Sequence, residues 1–196
     1  MSLYPQLKHL QLNILAIDPG LNNIGFSHLL YSHPNSSISS ITAHTFKPEP
    51  TVPAYQLSEY LDDRTIKLLS IKDYFSSLLT STHFDLIVCE APFFYASKPG
   101  AYRALVEVIS VFKQYLAGTN PITPFVQLEP LLVKRFVKSL NISNKDSTKE
   151  ALYLLNLHNY IDLNTLDEHS VDAISIGYAF LKSRGFLGDV SSVTSP

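Results

Sequence analysis

Two short apolar runs, each followed by an acidic residue, stand out in the pattern of hydrophobic and polar positions. Residues 14–17 lead directly into Asp18, and residues 86–88 lead through Cys89 to Glu90. Continuous apolar runs of this length are typical of strands that are buried on both faces. Proline follows each acid within two residues and predicts the turn that ends the strand. Each of these two strands is therefore predicted to hold one carboxylate at its end.

The other apolar positions predict three more strands and five helices. Residues 24–31 predict a strand that folds back on the first, and the β-branched and hydroxyl residues of 37–46 predict an edge strand. A further short strand is predicted over 122–128. Helical spacing of apolar residues predicts helices over 55–79, 100–117, 131–140, 147–157 and a last helix that is capped by Asn164 or Thr165 and ends at Gly185.

The composition is that of a folded chain without disulfide bonds. A chain of 196 residues with 45% hydrophobic residues and a mean hydropathy of +0.09 favours one globular domain, residues 1–196, with its core over about 13–184. Its apolar stretches are shorter than the ~18 residues of a membrane span, and no signal peptide is predicted. Cys89 is the only cysteine, which excludes an intrachain disulfide and fits a cytoplasmic location.

Positive charge is concentrated in the middle of the chain, although the net charge is −2. Residues 98–149 contain three acidic residues and eight basic residues: Lys98, Arg103, Lys113, Lys134, Arg135, Lys138, Lys145 and Lys149. This imbalance favours a surface that faces phosphates over a merely solvated helix surface. Beside it, Phe93 and Phe94 follow Glu90 and suit stacking on nucleobases, although packing onto the sheet is the alternative for each ring.

The last predicted helix carries a His-x-x-Asp pair, His169 and Asp172. Residues three apart project from one face of a helix, so both side chains can enter the same space. Together with Asp18 and Glu90 they form a set of hard ligands that suits Mg²⁺ or Mn²⁺. The alternatives are a turn-forming Asp18, a Glu90 that has simply reached solvent and a His-Asp pair that only caps its helix.

These residues resemble the RuvC-like Holliday junction resolvases of the RNase H superfamily, in particular a phage or otherwise divergent member. The resemblance spans roughly residues 13–184 and depends on four elements in order. They are Ile17-Asp18-Pro19-Gly20 with Asn23 and Gly25, Glu90 with Phe93, Lys134 with Lys145, and His169-x-x-Asp172-Ala173. The stretch between the two lysines lacks the glycines of that family, so Lys149 is an alternative to Lys145.

The resemblance implies a fold, an activity and a set of roles. The fold is an α/β, RNase H-like one, with a five-stranded mixed sheet of three antiparallel leading strands and two parallel strands, flanked by helices. The activity is metal-dependent paired nicking of four-way DNA junctions by a homodimer, with two Mg²⁺ ions per site and no small-molecule cofactor. The metal ligands would be Asp18, Glu90, His169 and Asp172. Two lysines would lie at the scissile phosphate, Lys134 and Lys145. Further contacts with DNA would come from Phe93, Phe94, Lys98, Arg103, Arg135, Lys138 and Lys149.

Three other functions remain open from the sequence. A nuclease of the same superfamily could act on RNA or on RNA:DNA hybrids. An actin-like or sugar-kinase-like ATPase also begins with a strand, an Asp and a Gly turn, but the chain shows no second Asp-x-Gly loop. A junction-binding protein without catalysis would not need the complete set of metal ligands.

Overall fold

The structure is a computed structural model, and it describes residues 11–33, 35–49, 60–94, 96–97, 99–137 and 147–188. Three of the predicted DNA-contacting residues, Lys98, Lys138 and Lys145, lie outside these ranges. So do parts of two predicted helices, residues 55–59 and 138–140. Among the described residues, none of the helices combines the length and the apolar character needed to cross a membrane.

The strands form one mixed sheet, as predicted. They are β1 (Gln11–Asp18), β2 (Ile24–Ser32), β3 (Ser37–Phe46), β4 (Leu86–Glu90) and β5 (Phe125–Leu128). Their order across the sheet is β3-β2-β1-β4-β5. The first three strands pair antiparallel, whereas β4 pairs parallel with both β1 and β5. The two strands that end on acids are therefore neighbours in the middle of the sheet.

Within the described ranges, five α-helices cover the two faces of the sheet. They are α1 (Asp63–Ser81), α2 (Pro99–Thr119), α3 (Pro130–Val137), α4 (Ser147–Leu154) and α5 (Glu168–Ser183). On β1, Leu15 and Ile17 pack with α1 and α2, while Ile14 and Ala16 pack on the other face with α3, α4 and α5. This alternation follows from the twofold period of a strand and explains why β1 is apolar at every central position.

Three elements begin later than the sequence predicts, and helix α4 ends at Leu154 and not at residue 157. Helix α1 begins at Asp63 because the Asp62 side chain accepts the Thr65 amide hydrogen bond, while residues 60–62 are not helical. Strand β5 begins at Phe125, because Ile122 lies in a turn and is 88% exposed. The short strand was therefore predicted three residues too early.

The start of α5 was also predicted too early. Its N-cap is Asp167, whose carboxylate accepts the backbone N–H of Ser170 at 3.0 Å, and not Asn164 or Thr165. Residues 163–165 form a separate 3₁₀ turn whose own cap is Asp162. The predicted end at Gly185 is confirmed, since this residue follows the helix with a positive φ of 72°.

Candidate active site

The register of β1 and β4 places Asp18 and Glu90 at the same end of the sheet. Ile17 is paired with Cys89, and the two acids are the next residues along these parallel strands. Two positions earlier, Ala16 and Val88 both pack on the α5 face. Because side chains alternate along a strand, both carboxylates are directed to that same face.

Helix α5 begins directly over this end of the sheet and brings His169 to Asp18. The imidazole Nδ1 lies 2.9 Å from Oδ2 of Asp18. Only 15% of the Asp18 side chain is exposed, compared with 29% for His169. The close approach of α5 to β2 requires glycine at position 25, because a Cβ there would lie 1.9 Å from the His169 carbonyl oxygen. Asp18 is thus a shielded carboxylate with an imidazole as its partner.

The electrostatics of this pair favour positive charge. Burial raises the pKa of the Asp18 carboxyl, with Glu168 and Asp167 raising it further, and this outweighs the hydrogen bond from His169 that lowers it. For His169, the hydrogen bond to Asp18 raises the pKa of the imidazole above its usual value. The pKa of Asp18 is thus raised mainly by burial, whereas that of His169 is raised mainly by its contact with the Asp18 carboxylate.

Glu90 and Asp172 line a neighbouring cleft with a volume of about 390 Å³. The cleft lies between the end of β4 and helices α2, α3, α4 and α5. Lys134 of α3 and Phe93, which follows β4, also line it. The rest of its wall is largely apolar and includes Tyr102, Leu105, Val133, Val137 and Ile176. One cleft thus combines two carboxylates, an ammonium group and two aromatic rings.

The four predicted metal ligands therefore lie in two pairs, Asp18 with His169 and Glu90 with Asp172. Within the described ranges, no group of three or more His, Cys, Asp or Glu side chains has a geometry that could hold a metal ion. In its chemistry the donor set fits a hard divalent cation, since it consists of three carboxylates and one imidazole at one end of the sheet. Convergence of all four on one ion remains a prediction.

The predicted aromatic residues are accessible. Phe93 is 43% exposed at the cleft, and Phe94 is 57% exposed with its ring edge-on to Tyr102 at a centroid distance of 5.4 Å. Neither ring belongs to the buried core of the described residues.

The predicted basic residues have different surroundings. Lys134 and Arg135 are exposed on α3, and the Arg135 guanidinium lies over the ring of Phe136. Arg103 donates to Glu107 at 3.0 Å on the surface of α2. The Lys149 ammonium group donates a hydrogen bond to the carbonyl oxygen of Leu166 at 2.7 Å, so this side chain connects α4 with the segment that precedes α5. Of the described lysines, Lys134 is the one that lines the cleft.

Sequence reasoning missed a polar cluster beside His169. The Thr45 hydroxyl of β3 donates to Oδ1 of Asp167 at 2.5 Å and lies 3.0 Å from the hydroxyl of Ser170. Asp167 was not among the predicted site residues. No sequence pattern links it to Thr45, which is 122 residues away.

Comparison with known proteins identifies the fold. No protein-family model matches the chain, and no curated protein matches it either. The chain is similar in structure to Thermus thermophilus RuvC in complex with Holliday junction substrate, with a TM-score of 0.64, 15% identity, and coverage of 89% of this chain and 96% of that one.

Two further solved structures share this likeness. For the yeast mitochondrial Holliday junction resolvase Ydc2, the TM-score is 0.61 at 13% identity, with 91% of this chain and 81% of that chain covered. For the fowlpox virus resolvase with its substrate Holliday junction DNA, the TM-score is 0.50 at 14% identity, with 88% and 98% covered. The chain therefore has the fold of RuvC and related resolvases, as the sequence motifs implied.

Proposed function

We propose that this chain is a structure-selective DNA endonuclease that resolves four-way junctions. It would nick two strands in a paired manner and leave 5′-phosphate and 3′-hydroxyl ends. The observation that carries the proposal is the Asp18–His169 pair next to the cleft lined by Glu90 and Asp172, at one end of the sheet. The chain that holds this site has the fold of junction resolvases. The accessible Phe93 and Phe94 at the same end support a partner with unstacked bases.

Divalent metal ions are part of this proposal. Asp18, Glu90, His169 and Asp172 would hold two Mg²⁺ ions, for which Mn²⁺ would substitute. When bound, such ions activate a water molecule and stabilise the 3′ oxygen that leaves the phosphodiester. Lys134, exposed at the edge of the cleft, would offset the negative charge that develops on the phosphorus.

The proposed assembly is a homodimer that acts in the cytoplasm. A four-way junction has twofold symmetry, so a symmetric dimer would place one site on each of two opposing strands. Helix α2 is the proposed interface, since it lines the cleft with Tyr102 and Leu105 and also exposes Val106. Tyr102 would then bring the contact between subunits close to the site of cleavage.

Cleavage of labelled DNA tests the proposal directly. A synthetic four-way junction, a linear duplex of the same sequence and an RNA:DNA hybrid are each incubated with the protein, with and without Mg²⁺. We expect nicks in the junction alone and only with the metal. Preferential cleavage of the hybrid would instead identify an RNase H-like nuclease, and intact DNA under all conditions would refute the proposal.

Replacement of the shielded carboxylate tests the assignment of the site. The Asp18→Asn variant is expected to bind the junction as the wild type does but to lose cleavage, because it lacks the charge that attracts a cation. The matched control is Asp73→Asn, which makes the same change at an exposed position of α1. Asp18→Asn protein that cleaves at the wild-type rate would contradict the assignment.

A further inference from the structure

Three residues form a row across the antiparallel strands beneath the start of α5. Asp18 of β1 is paired with Gly25 of β2, and Gly25 is in turn paired with Thr45 of β3. Paired residues of neighbouring strands direct their side chains to the same face of a sheet. The row therefore presents a carboxylate at one end, bare backbone in the middle and a hydroxyl at the other end.

The first turn of α5 is held at all three points of this row. Asp18 contacts the imidazole of His169, and the missing side chain of Gly25 makes room for the His169 carbonyl group. Thr45 donates to the Asp167 carboxylate at 2.5 Å, and the same carboxylate oxygen accepts the Ser170 amide at 3.0 Å. The N-cap of the helix is thus fastened to β3 by the Thr45 hydroxyl.

The hydroxyl of Ser170 completes this contact from inside the protein. Ser170 is only 2% exposed, and its Oγ lies 3.0 Å from Oγ1 of Thr45. Since Thr45 uses its own proton for Asp167, the Ser170 hydroxyl is the donor in this second hydrogen bond. The Thr45 hydroxyl thus has two hydrogen-bond partners at the start of the helix, Asp167 and Ser170. Together they fix the distance of the first turn from β3 and its rotation about the helix axis.

We propose that Thr45 is a positioning residue for His169, because its hydroxyl holds the start of α5 at the rotation that keeps the imidazole against Asp18. The inference rests on the proposed nuclease function, in which His169 and Asp18 act together. Without the Thr45 hydroxyl, the first turn would keep its contacts with Asp18 and Gly25 but would lose the hydrogen bonds that fix its rotation relative to β3. Active-site groups tolerate displacements of only about 0.5 Å, so a small rotation matters.

The test compares four variants on β3. Thr45→Val keeps the shape of the side chain but removes its hydroxyl, whereas Thr45→Ser keeps the hydroxyl and serves as the rescue. Thr42→Val is the matched control, since Thr42 is exposed on the same strand and has no side-chain hydrogen bond among the described residues. Thr45→Ala is measured as well, in case valine prevents folding.

The first measurement does not depend on activity or metal. The ¹⁵N chemical shifts of the His169 ring report its hydrogen bond in the metal-free protein at one fixed pH, and Asp18→Ala provides the shifts of the broken pair. We expect Thr45→Val and Thr45→Ala to move toward the Asp18→Ala shifts, while Thr45→Ser and Thr42→Val stay at the wild-type values. Wild-type shifts in Thr45→Val or in Thr45→Ala would overturn the proposal.

The second measurement separates positioning from binding. Single-turnover cleavage by Thr45→Val is expected to fall by about 10- to 100-fold, with junction affinity within about twofold of the wild type. Equal losses in Thr45→Val and Thr45→Ser would show that packing and not the hydroxyl matters, and would overturn the proposal. If the wild type cleaves no junction, the proposed function fails, and the ring shifts alone decide whether Thr45 positions His169.

Discussion

Replacement of Gly25 by alanine should damage the candidate site directly, because this residue lies between Asp18 and the start of α5. A Cβ at this position would lie 1.9 Å from the carbonyl oxygen of His169, 2.5 Å from its carbonyl carbon and 3.2 Å from the Cβ of Asp18. The nearest atoms belong to the backbone of α5 and not to a side chain that could rotate away. The helix itself must therefore move.

The size of the effect follows from these distances. The carbonyl oxygen has to retreat by about 1.5 Å to reach an ordinary contact distance of 3.4 Å. Overpacking of this kind costs about 1–3 kcal/mol of the free energy of unfolding. Alanine loses less backbone entropy than glycine when the strand folds, and this gain offsets only about 0.5–1 kcal/mol of the cost. The net effect on the free energy of unfolding is therefore destabilising. Because displacement of a catalytic group by about 1 Å costs about 100-fold in rate, cleavage should fall by at least that factor.

Urea unfolding and junction cleavage measure the two consequences separately. Gly118→Ala is the control, because a Cβ added at Gly118 in α2 meets nothing within 4 Å. This control should gain about 0.5–1 kcal/mol of stability and keep full cleavage. A Gly25→Ala protein with the wild-type urea midpoint and cleavage rate would refute the reasoning, because it would mean that α5 does not rest on β2.

Two further predictions concern stability. Gly177→Ala would place a Cβ 2.4 Å from Cδ1 of the fully buried Leu29 and 3.1 Å from the Cβ of Ala16, so urea unfolding should reveal a loss of about 1–3 kcal/mol; an increased midpoint would contradict this contact. In the metal-free protein, the hydrogen bond to Asp18 raises the pKa of His169, so the folded state binds this proton more tightly than the unfolded state. The resulting stabilisation is fully present below the usual pKa of 6.5 and is lost as the pH rises through the folded-state pKa. The stability difference between the wild type and His169→Gln should therefore shrink as the pH rises, and a constant difference would contradict the pairing.

Local patterns in the chain were sufficient to predict the sheet and the acids at its edge. Short apolar runs that end on Asp18 and Glu90 define β1 and β4 without reference to any distant residue, because burial on both faces requires apolar side chains at consecutive positions. The helical spacing of His169 and Asp172 is likewise a local property. From such signals the ends of both central strands could be predicted, whereas the arrangement of the five strands was implied by the resemblance to the RuvC-like resolvases.

Boundaries set by single side chains were harder to predict. Asp62 and Asp167 each cap a helix because one carboxylate reaches one backbone amide, and other polar residues nearby suit the same role in sequence. The difference between Asp167 and Asn164 as the cap of α5 is decided by where the chain meets the sheet. Asp167 is selected because Thr45 donates to it, which is a contact between β3 and the helix.

The amino-acid sequence by itself determined which residues form the strands and helices and which polar groups lie at their ends. The tertiary structure alone decided that His169 meets Asp18, that Asp172 shares a cleft with Glu90 and that Thr45 fastens the helix above them. The physical reason is that α5 is buried on nearly all sides, so its rotation follows from close contacts with distant residues and not from an amphipathic pattern of its own.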